Sequence, residues 1–275
     1  MTNMDPIHAG WLSRALILSA VRVEKVFRKV AFWKPPAGLP SLFGLCIKVK
    51  PNEDLAEARA MLFVAEHTSV PVPKLYCAFI HQGSTYIVMS RIRGQMAWLR
   101  WKDRSEASRR QVLRQLREMV IQIRTIAPPA DTGVANVDGG PIYDCRLPKD
   151  PSWGPYATMQ DFHKELVNCN DLSTRFGSPY EDLNELLEFY QKFNEHPVFT
   201  HGDLSSLNIL VRGDDVVGIV DWETAGWLPP YWEYTSAWFV NPQNPFWQAE
   251  VDRFLTPMSY ELKMEKIRRK YFNTI

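Results

Sequence analysis

The chain has 275 residues, 45% of them hydrophobic and 23% charged, enough apolar mass for one large core or two modest lobes and too much for a disordered segment. Its 32 basic and 31 acidic residues leave a net charge of +1, so no global field favours nucleic acid or an anionic membrane as partner. No apolar run reaches the about 18 residues of a bilayer span, and Cys46, Cys77, Cys145 and Cys169 form no C-x-x-C pair or Cys/His cluster. Buried thiols in a reducing compartment, a cytoplasmic protein and no zinc site are the expectations.

Ala15 to Val21 follows Arg14 and runs into Arg22-Val23-Glu24-Lys25 without a small-residue cleavage site, so it reads as an N-terminal helix and not as a secretion signal. Val21-x-Val23 and Val26-Phe27 through Trp33 then alternate like the opening strand of a small sheet. The prolines at 35, 36 and 40 impose a loop. Leu42 to Val49 reads as a strand that places Lys48 opposite Ile47, with Lys50 on the same face as Lys48. A lysine near the end of such a strand can reach nucleotide phosphates; Lys48 is the candidate, Lys50 its competitor, and a solvated strand lysine the plain alternative.

Acidic residues at 53 and 54 open a helix running to about His67, with Leu55, Ala58, Met61, Leu62 and Ala65 at helical spacing. Pro71 and Pro73 follow, then a hairpin of Tyr76 to His81 and Thr85 to Met89, from which Ser90 to Gly94 departs. A 3.6-residue period over 105–125, stopped by Pro128-Pro129, predicts a core helix of a second lobe. Residues 130–160 read as a long surface excursion of unassigned role. Two further helices centre on Phe162 to Leu166 and Leu183 to Phe193. The aromatic run Tyr231 to Val240 reads as packing ahead of ligand stacking, and Lys263 to Lys270 as a solvated helix end.

The stretch His201-Gly202-Asp203 to Val211, a Gly-Asp-Asp turn, and Val216 to Asp221 predict a hairpin that brings Asp203, Asn208 and Asp221 together. Phosphoryl transfer needs this trio. An Asp orients or deprotonates the attacking hydroxyl, while an Asn and a second Asp supply the one or two protein oxygens that magnesium on nucleotide phosphates takes. The plain alternative, that these residues merely cap and turn a loop, is outweighed by their order and spacing.

At these residues the chain resembles the aminoglycoside phosphotransferase and choline kinase-like families, in which Gly replaces the Arg of the protein-kinase catalytic loop. The run Gly226-Trp227-Leu228-Pro229-Pro230-Tyr231-Trp232-Glu233-Tyr234 is similar to many fungal members, and the resemblance extends from about Cys46 onward. It implies an α+β, bilobal protein kinase-like fold: a small antiparallel sheet with one helix over 1–92, its portion before residue 46 left open, and a larger helical lobe over 93–275. It implies ATP and Mg2+ as cofactors, with Asp203 as base or orienter and Asn208 and Asp221 as metal ligands. Lys48 would be the phosphate lysine and Glu57 its partner, with Glu53 as fallback. Main-chain groups of Ser90 and Ile92 would meet adenine at the hinge, and His201 would support the loop. The acceptor would be a small-molecule hydroxyl, because Gly226 and Pro229-Pro230 follow Asp221 too closely for the activation segment of a protein kinase. One departure is plain: no glycine-rich phosphate loop precedes Lys48, which holds open a second reading as a non-catalytic nucleotide-binding scaffold.

Overall fold

The computed structural model describes residues 4–30, 41–42, 44–144, 147, 152–168, 171–239 and 245–272. Helix α1 (Trp11–Val30) is followed by an antiparallel sheet of β1 (Ser41–Leu42), β2 (Leu45–Lys50), β3 (Leu75–His81) and β4 (Ser84–Ser90), in the order β1-β2-β4-β3. Helix α2 (Ala56–His67) connects β2 to β3. Its first N–H is satisfied by the Asp54 carboxylate at 2.8 Å, and Ala58, Met61 and Val64 form its buried stripe. Ala65, expected in that stripe, is exposed.

The strand expected within 21–33 is corrected. Residues 21–30 continue α1, because Ile17, Leu18, Val21 and Glu24 recur toward the protein at helical spacing and outweigh a short β-like alternation. Residues 31–40, with the expected strand end and proline loop, lie outside the described residues. The N-terminus is held instead by Ile7, which exchanges two backbone hydrogen bonds with Ala78 of β3 at 2.8 and 2.9 Å.

Beyond β4 come β5 (Gln95–Met96) and α3 (Glu106–Arg124), whose start is capped by Ser105 accepting the Ser108 N–H. The described residues of the expected surface excursion, 130–160, are laid against the fold. Its strands β6 (Ile142–Tyr143) and β7 (Ser152–Trp153) pair, Ala135 bridges to Trp227, and Val134, Ile142 and Trp153 are buried. Helices α4 (Met159–Leu166) and α5 (Glu181–Lys192) follow, then β8 (Val198–Thr200) and the hairpin β9 (Ile209–Arg212) and β10 (Asp215–Ile219). A 3₁₀ turn (Trp222–Thr224) leads to β11 (Gly226–Leu228), which pairs with β8, and to α6 (Trp232–Phe239), α7 (Pro245–Phe254) and α8 (Ser259–Phe272).

One core cluster runs from the sheet and α2 into α3, β9, β10 and α7, through Val64, Ile87, Leu116, Ile219, Trp222 and Trp247. A second joins α4, α5, α6 and α8 through Phe162, Leu187, Tyr190, Trp232 and Ile267. The aromatic run is therefore packing, as expected, with Tyr231, Trp232 and Tyr234 buried. The basic end of the chain is not simply solvated. Arg268 is buried and donates twice to Glu265 at 2.7 Å, while Lys266 and Arg269 lie over the rings of Trp238 and Phe239. Cys46 and Cys77 are free thiols; Cys145 and Cys169 lie outside the described residues. Among the described residues no helix is long and apolar enough to cross a membrane.

His163 of α4 is fully buried in the second cluster, stacked on Tyr190 with 4.2 Å between ring centroids and 2.8 Å from the Tyr231 hydroxyl. Burial pushes its pKa down to about 3 from the ordinary 6.5. Because the folded value lies below the unfolded one, the unfolded chain takes up a proton first as pH falls through about 6.5. His163 is thus predicted to withdraw about 1.4 kcal/mol of stability per pH unit below that point, relieved only near the folded value. Urea unfolding of wild type and His163→Phe between pH 7.5 and 5 checks this. The wild type is expected to lose stability more steeply, by about one proton.

Candidate active site

Lys48 stands in the middle of β2, paired with Ile87 of β4, and its ammonium points toward α2 and the turn after β10. It donates to Glu57 Oε1 at 2.8 Å and to Asp221 Oδ1 at 2.6 Å, with Glu223 Oε2 at 3.3 Å. Lys50, two residues on and therefore on the same face, is also buried. It lies 3.4 Å from Glu57 Oε2, 3.3 Å from Glu223 Oε2 and 5.3 Å from the centre of the Tyr143 ring. Burial alone would lower the pKa of Lys48, but Glu57, Asp221 and Glu223 together outweigh it and hold the group charged, above its ordinary value. Three carboxylates against two ammoniums leave one net negative charge in the cluster. Lys48 and Lys50 differ in reach. Among the described residues only Lys48 forms an ion pair with Asp221, while Lys50 stands 3.4 Å from the far oxygen of Glu57, a charge contact without a hydrogen bond. Glu53 is exposed and takes no part.

The second half of the site is the loop between β8 and β9. The Asn208 amide nitrogen donates to the Asp203 carboxylate at 2.9 Å and to the Asp203 carbonyl at 3.0 Å. The Val220 N–H donates to the Asn208 carbonyl at 2.9 Å, which sets Asp221 beside Asn208. Asp221 has φ 67° and ψ 64°, a left-handed conformation that Asp tolerates better than most residues and that turns its carboxylate back toward Lys48. Asp203 with Asn208, and Glu57 with Lys48 and Asp221, are thus two contact groups joined through the backbone bond from Val220 to Asn208.

His201 is held on both ring nitrogens. Nδ1 accepts the Asp203 N–H at 3.1 Å, so Nε2 carries the proton directed at the Val220 carbonyl, also 3.1 Å away. Gly202 has φ 80°, and a Cβ there would stand 3.0 Å from the Thr224 carbonyl oxygen, so an arginine at this position would be strained in its backbone and crowded at its Cβ. Beneath the loop the buried Glu233 accepts the His201 N–H at 2.7 Å and the Gly202 N–H at 3.0 Å, while the Thr224 hydroxyl donates to the His201 carbonyl at 2.7 Å.

A model of the phosphotransferase enzyme family matches residues 49–262. The chain belongs to this family. An aminoglycoside 3'-phosphotransferase of Niallia circulans is 24% identical over 168 residues, covering 61% of this chain and 58% of the relative, so the chain matches little more than half of that protein's length. Among solved structures, aminoglycoside phosphotransferase APH(4)-Ia superposes with a TM-score of 0.61 at 19% identity, covering 90% of this chain and 88% of the other. The streptomycin–ATP–APH(2")-IIa ternary complex superposes with a TM-score of 0.53 at 14% identity, covering 92% and 86%. The fold is the protein kinase-like one.

In this phosphotransferase-family chain the two hinge positions differ. Ser90 is bound into the sheet: its N–H donates to the Lys74 carbonyl and its hydroxyl accepts the Lys74 N–H, each at 2.9 Å. Only its carbonyl side could face a ligand. Ile92 lies beyond the strand, its side chain filling the space where a Cβ on Gly218 would stand.

Sequence reasoning missed Glu233 and Glu223 as members of the candidate site, and named Lys50 only as the competitor of Lys48. The signal for Glu233 was a single acid inside an aromatic helix, which must find donors when buried. Glu223 stood two residues after Asp221 across a 3₁₀ turn, on the cluster's side of Trp222. Removing Glu233 leaves two buried N–H groups unpaired, each costing about 1–3 kcal/mol. Glu233→Ala is predicted to lower unfolding free energy by about 3 kcal/mol in urea denaturation. Glu233→Gln, which keeps one accepting oxygen, should recover about half of that loss.

Proposed function

We propose that the chain transfers the γ-phosphoryl group of ATP to a hydroxyl of a small molecule. The observation that supports this most is the Lys48 ammonium bound by both Glu57 and Asp221, next to a loop that presents Asp203 and Asn208 together. Residues 1–92 would form the nucleotide lobe and 93–275 the lobe bearing the catalytic loop. Lys48 would bind the nucleotide phosphates, held in place by Glu57, with Lys50 fixing Glu57 in turn. Ile92 and the Ser90 carbonyl would meet the adenine edge.

Asp203 would accept the acceptor's hydroxyl proton or its hydrogen bond, aiming the oxygen at the γ-phosphorus; the new O–P bond forms as the bond to the β-bridging oxygen breaks and ADP departs. Magnesium fits the residues present. The Asn208 NH2 group is spent on Asp203, which leaves Oδ1 free of that bond as a hard oxygen, and Asp221 and Glu223 supply carboxylates that cluster with Glu57. When bound, the ion would neutralise charge on the phosphates.

The similar solved structures include complexes with ADP and hygromycin B and with ATP and streptomycin, which supports a nucleotide donor and a small-molecule acceptor. The acceptor is left at the level of an alcohol. Asp203→Ala is predicted to cut turnover about 10²- to 10⁴-fold with ATP affinity retained. Asp221→Ala should abolish magnesium-dependent ATP binding in calorimetry. The deciding experiment is an ADP-release screen over amino alcohols, sugars, aminoglycosides and other hydroxyl metabolites, with Asp203→Asn as blank. Acceptor-dependent ADP above that blank supports transfer. Magnesium-ATP binding with no ADP from any acceptor supports the non-catalytic scaffold instead.

A further inference from the structure

Helix α1 has two stripes along its length, and only one of them is used. Arg14, Ile17, Leu18, Val21 and Glu24 face the protein, with the Arg14 guanidinium 5.7 Å from the Phe79 ring centre and Val21 buried. The other stripe is Leu12, Leu16, Val23 and Val26 with Ser19 at its middle, and it is exposed from end to end; Leu16 is 70% and Val26 59% accessible, and among the described residues nothing covers them. The spacing is 4-3-4-3, which averages 3.5 residues and is the repeat of a two-helix seam.

We propose that this stripe is a self-association surface, on which a second copy of α1 packs antiparallel about Ser19. The pairing is self-complementary. Leu12 meets Val26 of the other copy, Leu16 meets Val23, and Ser19 meets Ser19, so each large side chain faces another and the smallest one sits on the two-fold axis. The serine is the one polar member of the stripe and is not stranded there: its hydroxyl can bond its counterpart across the axis or the carbonyl one turn back in its own helix. Ala15 and Ala20 flank the stripe and are small enough to let two helices approach closely. Charge is compatible: Arg14 and Glu24 lie on the inner face, and Arg22, at the seam's edge, comes opposite Ala15 and not its own counterpart. The 20-residue helix is about 30 Å long, and a pair along such a seam buries on the order of 1,000 Å2, the lower end for a specific interface.

The test is light scattering of the full chain from low to high micromolar concentration, beside Leu16→Glu/Val23→Glu. The wild type is expected to move toward twice the single-chain mass, and the variant to stay at single-chain mass with unchanged circular dichroism. Cysteine cross-linking fixes the geometry, with the wild type as blank for its native thiols. Ser19→Cys should oxidise to a linked dimer, Leu12→Cys alone should not, and Leu12→Cys mixed with Val26→Cys should. A single-chain mass at every concentration, a dimer that survives the double substitution, linkage by Leu12→Cys alone, or sedimentation of an otherwise monomeric protein with phosphatidylserine vesicles would each overturn the proposal.

Discussion

The Lys48 ammonium, shared among Glu57, Asp221 and Glu223, is the contact on which the candidate site depends. It joins three separate pieces of chain: the sheet through β2, the helix α2, and the turn after β10. An isolated carboxylate cluster of this density would repel itself by several kcal/mol per pair at the effective dielectric of a partly buried site. With Lys48 and Lys50 inserted, the same cluster holds β2 and α2 against the turn after β10. Under the proposed function a divalent ion accompanied by phosphates would suit this balance of charges: cation and carboxylates would attract, and the phosphates would take over the ammonium.

The loop carrying Asp203 is determined mostly from below. Its backbone accepts from Thr224 and donates to Glu233, and its histidine is consumed by the Asp203 N–H and the Val220 carbonyl. Trp247 of α7 adds an indole N–H to the Leu204 carbonyl at 2.9 Å. Groups fixed this way lose little freedom when a substrate arrives, which is what positioning chemistry requires. The excursion between α3 and α4 reaches the same place: Arg59 of α2 pairs with Asp138 at 2.8 Å, and Tyr143 lies against Lys50.

Much of this was legible in the residue order. The spacing of Asp203 and Asn208, the hairpin to Asp221, and a helix following the lysine strand are local patterns, and local patterns survive folding. Glu57 could be named but not distinguished from a solvated helix acid, because burial depends on what packs over α2. Glu233 was hidden for the opposite reason: its helix looked like pure core, and only the tertiary fold reveals two N–H groups aimed at it. The N-terminal segment misled because β-branched residues alternate there while a helical period runs beneath them. Arg268 misled because it sits in a run of basic residues whose neighbours are solvated. For Glu233 the deciding partners, the His201 and Gly202 N–H groups, lie far back along the chain.

If the Lys48 ammonium already occupies the carboxylate cluster, a divalent ion should enter only together with nucleotide phosphates. Manganese, read by electron paramagnetic resonance as the free-ion signal, reports this directly. Titrated into the protein alone, the signal should match buffer, and adding ATP with protein should remove it beyond what ATP alone removes. Strong manganese binding without nucleotide, or none beyond that of free ATP, would contradict the assignment of this cluster as a nucleotide-phosphate site.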